Sequence, residues 1–319
     1  MQKGPFRMKD GRHGAKMAET LEPDPSVIGG VPEAPFVFLP NPVTLFQSRR
    51  KRFAFLAETS ELAPYLKFLA DLSALQARLA ATLPPVTPPS DESMRKASAG
   101  AMPPIDRANL IEDAALWLAL DALCEGATEL DMPESARLAL AAVTASDDTD
   151  RKWLLGNILS DTVPEESVAP HLFAAAAVQV HLARLAALLD PARLVPVGVG
   201  VCPACGGRPV SSSVTSTPGI DNVRYASCAC CATQWNEVRV KCLCCGSTKG
   251  ISYRSAQTHE ATVKAECCRK CSSWVKIFYQ MKNPTLDPVA DDIGTLGLDI
   301  LIKDTEFRRA GFNPFLVGY

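Results

Sequence analysis

The sequence predicts a multidomain α plus small-β protein: an N-terminal helical bundle, two tandem four-cysteine metal ribbons and a C-terminal helix. Three observations lead there. Through residues 42–189, successive segments place apolar residues at three- and four-residue steps, the period of an amphipathic helix. Eleven of the twelve cysteines fall within residues 202–271. Four Cys-x-x-Cys pairs in that stretch form a repeat: adding 40 to Cys202, Cys205, Cys228 and Cys231 gives Cys242, Cys245, Cys268 and Cys271, so C-x2-C-x22-C-x2-C occurs twice. The expected divisions are 1–30, a disordered N-terminus; 31–195, helical; 196–237 and 238–282, the two ribbons; and 283–319, a helix and tail packed on the helical domain. At 319 residues the chain exceeds what one hydrophobic core usually serves.

Residues 31–42, VPEAPFVFLPNP, are Pro-rich and extended. Asn41-Pro42 supplies an N-cap and a proline at the first helical position, which predicts a helix through Leu45, Phe46, Phe53 and Leu56. Its basic cluster, Arg49, Arg50, Lys51 and Arg52, reads as a solvated face. Ser60-Glu61 opens a second helix on Leu62, Tyr65, Leu66, Leu69, Leu72, Leu75 and Leu79, with Pro64 tolerated in its first turn. Residues 84–104, rich in Pro, Ser, Thr and Ala, read as a mobile loop.

Residues 105–124 are helical again, with a stop at Gly126 and Cys124 as a small hydrophobe. Helices are expected over 133–145, 149–159 and 164–189. The last is alanine-rich, allows close approach of its neighbours and belongs at the bundle centre. His171 and His181 lie ten residues apart on different faces of it and read as packing residues rather than ligands. The same stretch carries Gln179, His181 and Arg184 and reads as a buried helix, not a membrane span. LVPVGVGVC then makes a strand-like approach to Cys202, and Asp287-Pro288 begins a final helix that ends near Lys303.

Each four-cysteine site needs two turns that present two thiolates apiece to one ion. In CPACGG and CLCCG the three-residue step and following glycine suit a tight knuckle; the second knuckles, CACCAT and CRKCSS, lack that glycine. The residues between can form hairpins, with strands at 208–214 and 222–226 around Pro218-Gly219, and at 251–255 and 261–265. The expected ligands are Cys202, Cys205, Cys228 and Cys231 for the first site and Cys242, Cys245, Cys268 and Cys271 for the second. Cys230, Cys244 and Cys267 are left over, since they do not fit the repeat. Trp235 and Trp274 follow the second knuckles and are expected to cover the sulfurs by packing. Four thiolates close the coordination sphere, which argues against Lewis-acid hydrolysis. Zn(II) and Fe both accept such a site.

A hydrophobic fraction of 47% and a charged fraction of 21% describe an ordinary globular chain. The first 20 residues are basic but no apolar run follows, so a secretory signal is not expected. Paired cysteines then favour metal or redox chemistry in a reducing, cytoplasmic setting. Residues 202–282 carry 11 Lys and Arg against 4 Asp and Glu. Two occupied tetrathiolate sites reduce that excess to about +3 to +5, a weak footprint for nucleic acid.

The stretches CPACGGRPV, RYASCACCATQWNEVRVKCLCCGS, AECCRKCSSWVKI, DPVADDIGTLGLDILI and GFNPFL resemble the formate dehydrogenase accessory protein family, FdhE. The likeness is close over residues 197–316 and extends more loosely through PFVFLPNPVTLFQSRRKRF and YLKFLADL. The resemblance implies a cytoplasmic accessory protein that binds catalytic subunits of molybdenum- or tungsten-dependent formate dehydrogenases during maturation. It also implies rubredoxin-like ribbons that hold two metal ions on the four cysteine pairs, with iron favoured and zinc accepted, and no catalytic residues. Arg239, Lys241, Asp291 and Asp292 also match; partner contact is the one functional role open to them, and Asp291 and Asp292 read equally as first-turn helix residues, where negative charge is favoured. An electron carrier is the alternative, and a zinc-ribbon nucleic-acid binder a third.

Overall fold

Asn41 caps the first helix as its position predicts: its side chain accepts from the Thr44 amide, and Pro42 opens α1 (Pro42–Ala57). The computed structural model describes residues 33–217, 219–256 and 261–316; the expected disordered N-terminus and Pro218 lie outside them. Ahead of α1, β1 (Val37–Phe38) holds the extended residues, and behind it α2 (Ala63–Thr82) carries Pro64 in its first turn. The expected mobile loop contains a helix, α3 (Asp91–Ala99). Ser90 caps it and Asp91 and Glu92 fill its first turn, a start signal that proline-rich flanks concealed.

The helix expected from residue 105 instead begins at Asp113, which caps α4 (Ala114–Ala127) after a short 3-10 turn. Gly126 does not stop α4. It lies inside the helix, where a Cβ would stand 2.6 Å from Leu75 Cδ1, so glycine serves close packing of α4 on α2. Next come α5 (Glu134–Ala145), α6 (Asp148–Leu159) and α7 (Val168–Ala186). From His171 to Ala183, α7 is buried without a break, and α1, α2, α4, α5 and α6 pack around it. A helix apolar on all sides belongs inside. Residues Glu165–Ala186 are long and apolar enough to cross a membrane, but 78% of the most apolar window is buried within the protein, as in a core helix.

Both histidines of α7 are neutral packing groups. His171 donates from Nδ1 to the Ser167 carbonyl at 2.6 Å and accepts at Nε2 from Asn157 at 3.0 Å. Burial lowers the pKa of each, and at His181 it outweighs the Asp113 carboxylate 3.1 Å away. The unfolded chain therefore takes up these protons first. The stabilisation is full above the ordinary histidine pKa of about 6.5 and is lost as pH falls below it. Thermal midpoints measured from pH 7 to pH 5 are expected to drop, and H181Q is expected to flatten that dependence.

After α7 the approach to Cys202 is a 3-10 turn and coil rather than the expected strand. The first ribbon then gives β2 (Pro209–Thr217), β3 (Ile220–Cys228) and β4 (Gln234–Glu237). The second gives β5 (Ile251–Arg254), β6 (Val263–Cys268) and β7 (Ser273–Tyr279). Each hairpin is antiparallel, and β2 pairs with β7 in parallel, which fuses the two ribbons into one sheet ordered β1-β4-β3-β2-β7-β6-β5. β1 pairs with β4 through Val37 opposite Trp235, so the helical half contributes the sheet's edge. A last strand, β8 (Arg308–Arg309), pairs with β7.

The final helix is two helices, α8 (Ala290–Gly294) and α9 (Leu296–Lys303), broken at Thr295. Their hosts differ. α8 packs on α1, with Ile293 in the main core. Leu298 and Ile302 of α9 join Ala265, Cys267, Trp274 and Phe307 on the second ribbon instead of the expected helical domain.

Partner contact is not the role of Asp291 and Asp292, which are buried at 1% and 0% exposure. Asp291 pairs with Arg52 at 2.6 Å and Asp292 with Arg309 at 2.5 Å. Nor is the α1 basic cluster a solvated face throughout. Arg50 and Lys51 are exposed, but Arg49 is buried and pairs with Asp287 at 3.2 Å.

Candidate metal centres

Each knuckle is a tight turn that returns its second cysteine toward the first. The residue after that cysteine adopts a left-handed backbone in all four: Gly206 at φ +75° and Gly246 at φ +72°, but also Ala232 at +59° and Ser272 at +52°. The second knuckles thus keep the geometry without glycine, at a cost of about 1–2 kcal/mol each. The amides face inward, as the Cys244 N–H shows by donating to Cys242 Sγ at 3.3 Å.

The hairpins bring the predicted ligands together. The sulfurs of Cys202, Cys205, Cys228 and Cys231 lie within 4.8 Å of one another, as do those of Cys242, Cys245, Cys268 and Cys271. In the first site, Cys202–Cys231, Cys205–Cys228 and Cys205–Cys231 are separated by 3.6, 3.6 and 3.5 Å. In the second, Cys242–Cys271 and Cys245–Cys268 are separated by 3.6 and 3.7 Å. A tetrahedron with metal–sulfur bonds of about 2.3 Å has edges of about 3.8 Å, whereas a disulfide needs about 2.05 Å. The eight sulfurs fit two tetrahedral ions. Burial pushes the Cys202 and Cys231 thiols far above their ordinary range, so a bound cation is needed before four thiolates can share that space.

The two sites differ in surroundings. All four cysteines of the first are buried and belong to the main core. Ile105 donates its amide to the Ala204 carbonyl at 3.1 Å, and Gln179 of α7 donates to the Ala229 carbonyl at 2.8 Å, so both knuckles are tied to the helical half. In the second site Cys242 and Cys268 are buried, Cys245 is exposed and Cys271 is half-buried.

The leftover cysteines part company as well. Cys230 is buried, 3.6 Å from both Asp161 Oδ1 and Arg107 NH2. Cys244 is exposed beside the second site. Cys267 packs under α9, where burial raises its pKa to about 11, and burial does the same at Cys124 in α4. Trp235 packs in the main core together with the first site's cysteines. Trp274 does not cover the second site's sulfurs: on β7 it is paired with Cys267, so it shares the α9 face, while Cys268 points to the other side. Arg239 lies over the Tyr279 ring and Lys241 pairs with Glu237 at 3.1 Å. Arg107, in the segment before α4, brings its guanidinium beside the first site, against Cys230. No local pattern marks it.

A helical half joined to one sheet that carries two tetrathiolate knuckle pairs defines a protein with tandem metal ribbons. Family models for FdhE match it in three consecutive parts: the N-terminal model over residues 34–199, the central domain over 201–239 and the C-terminal domain over 240–316. The chain belongs to the FdhE family. It is 56% identical over 301 residues to a protein named FdhE homolog from Rhizobium meliloti (strain 1021), which covers 94% of this chain and 98% of that one. It is 32% identical to the homolog from Proteus mirabilis (strain HI4320), over 92% of this chain and 94% of that one. The crystal structure of the FdhE protein from Pseudomonas aeruginosa matches with a TM-score of 0.80 and 30% identity, over 89% of this chain and 99% of that one.

Proposed function

We propose that this chain is a cytoplasmic accessory protein of formate dehydrogenase maturation that docks the enzyme's catalytic subunit through the face around the second metal site. Membership of the FdhE family supports an accessory role tied to formate dehydrogenase. The observation that carries the docking face is its composition. Cys244 and Cys245 are exposed there, with Lys249, Arg269 and Lys270 exposed on the adjoining turns. Val238 and Val240, on the linker into Cys242, are 58% and 44% exposed. An apolar patch rimmed by charge is the usual make-up of a protein-binding surface. At the first site, by contrast, all four cysteines are buried.

The test is co-purification of the full chain with a formate dehydrogenase catalytic subunit. The wild-type chain is expected to retain the subunit, and V238D/V240D, which leaves both metal sites intact, to reduce retention to background. Unchanged retention by that variant would contradict the docking face. A second reading, electron transfer by iron, is favoured by the exposure of Cys245. A colourless protein that holds zinc alone would exclude it.

A further inference from the structure

We infer that the two sites do different work: the first holds a locked structural ion, and the second an exchangeable one that an external sulfur or nitrogen donor can reach. The repeat makes the two ligand sets equivalent in spacing, so the difference comes from what surrounds them.

At the first site Cys202, Cys205, Cys228 and Cys231 are 0–2% exposed, and the helical half closes over both knuckles. A depression lined by Met102, Pro103, Asp106 and Gly206 reaches down to Arg107, Asp161 and Cys205, yet Cys205 itself is only 1% exposed. At its floor lies a buried cation. Arg107 is 9% exposed, and Asp161 holds it in a fork at 2.7 and 3.0 Å while the Ile158 carbonyl accepts at 2.8 Å. Asp161 is itself fixed by the Arg208 amide at 2.8 Å.

The guanidinium lies beside the sulfurs, its Nη2 3.6 Å from Sγ of the spare Cys230. A Cβ placed on Gly207 would meet Arg107 NH1 at 2.5 Å, Cys228 Sγ at 3.2 Å and Cys205 Sγ at 3.4 Å, so the three converge over one α-carbon. Four thiolates around a divalent ion leave a net double negative charge, and in this dry setting a fixed cation favours the ionised, metal-bound form. Arg107 is thus a positioning and charge-compensating residue for the first site, and glycine at 207 keeps its path to the sulfurs clear.

No described residue plays that part at the second site. Cys245 is exposed and Cys271 is half-buried; of the nearby cations, Lys249, Arg269 and Lys270 are solvated side chains, and Lys241, half-buried beside Gly246, is held by Glu237 rather than forked under the sulfurs. Exchange there is a ligand substitution without change of oxidation state. With an ion bound, Cys245 would be the thiolate open to replacement, and on leaving it would take up the proton given up by an incoming thiol or, for a nitrogen donor, one supplied by the buffer. This division of labour requires no partner protein and stands apart from the docking proposal.

The test uses the full chain loaded with two Zn(II) per molecule and an excess of the chromogenic chelator 4-(2-pyridylazo)resorcinol. Release is expected in two phases of equal amplitude. C245S is expected to abolish the fast phase and leave the slow one unchanged. R107Q is expected to speed the slow phase by about 10–100-fold, the usual effect of removing a residue that supports metal ligands, and to leave the fast phase alone. R107K, which keeps the charge but loses the fork, is expected to fall between the two. Release of both ions in one phase, loss of the slow phase in C245S, or acceleration of the fast phase by R107Q would each overturn the inference. The wild-type trace and C245S decide it even if R107Q fails to fold.

Discussion

Cys202→Ser is expected to unfold the helical half together with the first ribbon, whereas Cys245→Ser leaves the helical half folded. The first site is part of the main core: Cys202, Cys205, Cys228, Cys230 and Cys231 lie in one cluster with Phe173, Leu116 and Leu155. Its two knuckles accept hydrogen bonds from Ile105 and Gln179 across the junction. Structural zinc contributes about 10–16 kcal/mol of apparent binding free energy, comparable to the whole stability of about 5–15 kcal/mol of a typical domain. A broken first site therefore removes a support that the alanine-rich α7 cannot replace. The second site reaches the main core only through Leu243 of its first knuckle, and its four cysteines lie outside that cluster, so its loss is expected to stay local to β5, β6 and their turns. Far-UV circular dichroism and thermal unfolding of the two variants check this, and equal loss of helical signal in both would contradict it.

Asp299→Ala is expected to cost about 3–5 kcal/mol, because it leaves two cations, the buried Lys276 and the largely buried Arg309, to share the one remaining carboxylate of Asp292. Lys276 of β7 is 1% exposed and sits 2.5 Å from Asp299 and 3.4 Å from Asp292. Arg309 bridges the same two carboxylates, and Asn313 donates to Asp292 at 2.8 Å. Two cations and two carboxylates make a neutral, enclosed set. Its geometry accounts for the break at Thr295. Seven residues of continuous helix would separate Asp292 and Asp299 by about 10 Å along the axis, too far to share one ammonium. The break between α8 and α9 lets both reach Lys276 and so directs α9 onto the second ribbon. Urea unfolding of D299A and of D299N should show a loss in both, smaller for asparagine, which still offers an acceptor. A change within error of zero would mean that the network contributes nothing.

What the sequence made legible follows from how local each signal is. Asn41-Pro42 needs only its neighbours to start α1, and the alanine-rich run from Ala174 to Ala177 is enough to mark α7 as the central helix. The eight clustered cysteines were legible because the plus-40 repeat separates them from Cys230, Cys244 and Cys267. Other features depend on distant partners. Arg49 and Arg52 read as solvent-facing on α1, yet their carboxylates come from residues 238 and 239 positions away. β1 is two residues long and becomes a strand only through β4. α3 was hidden because prolines on both sides outweighed a Ser90 cap. The unequal exposure of the two sites could not be read from identical spacings, since it is the helical half that buries one of them.

Metal content per chain tests most directly whether the eight cysteines form two closed four-sulfur sites. Full-length protein purified without oxygen should contain two ions per chain, iron or zinc, and no disulfide among these cysteines. C245S should keep the ion of the buried site. One ion or none per wild-type chain, or a disulfide linking any of the eight, would contradict the account.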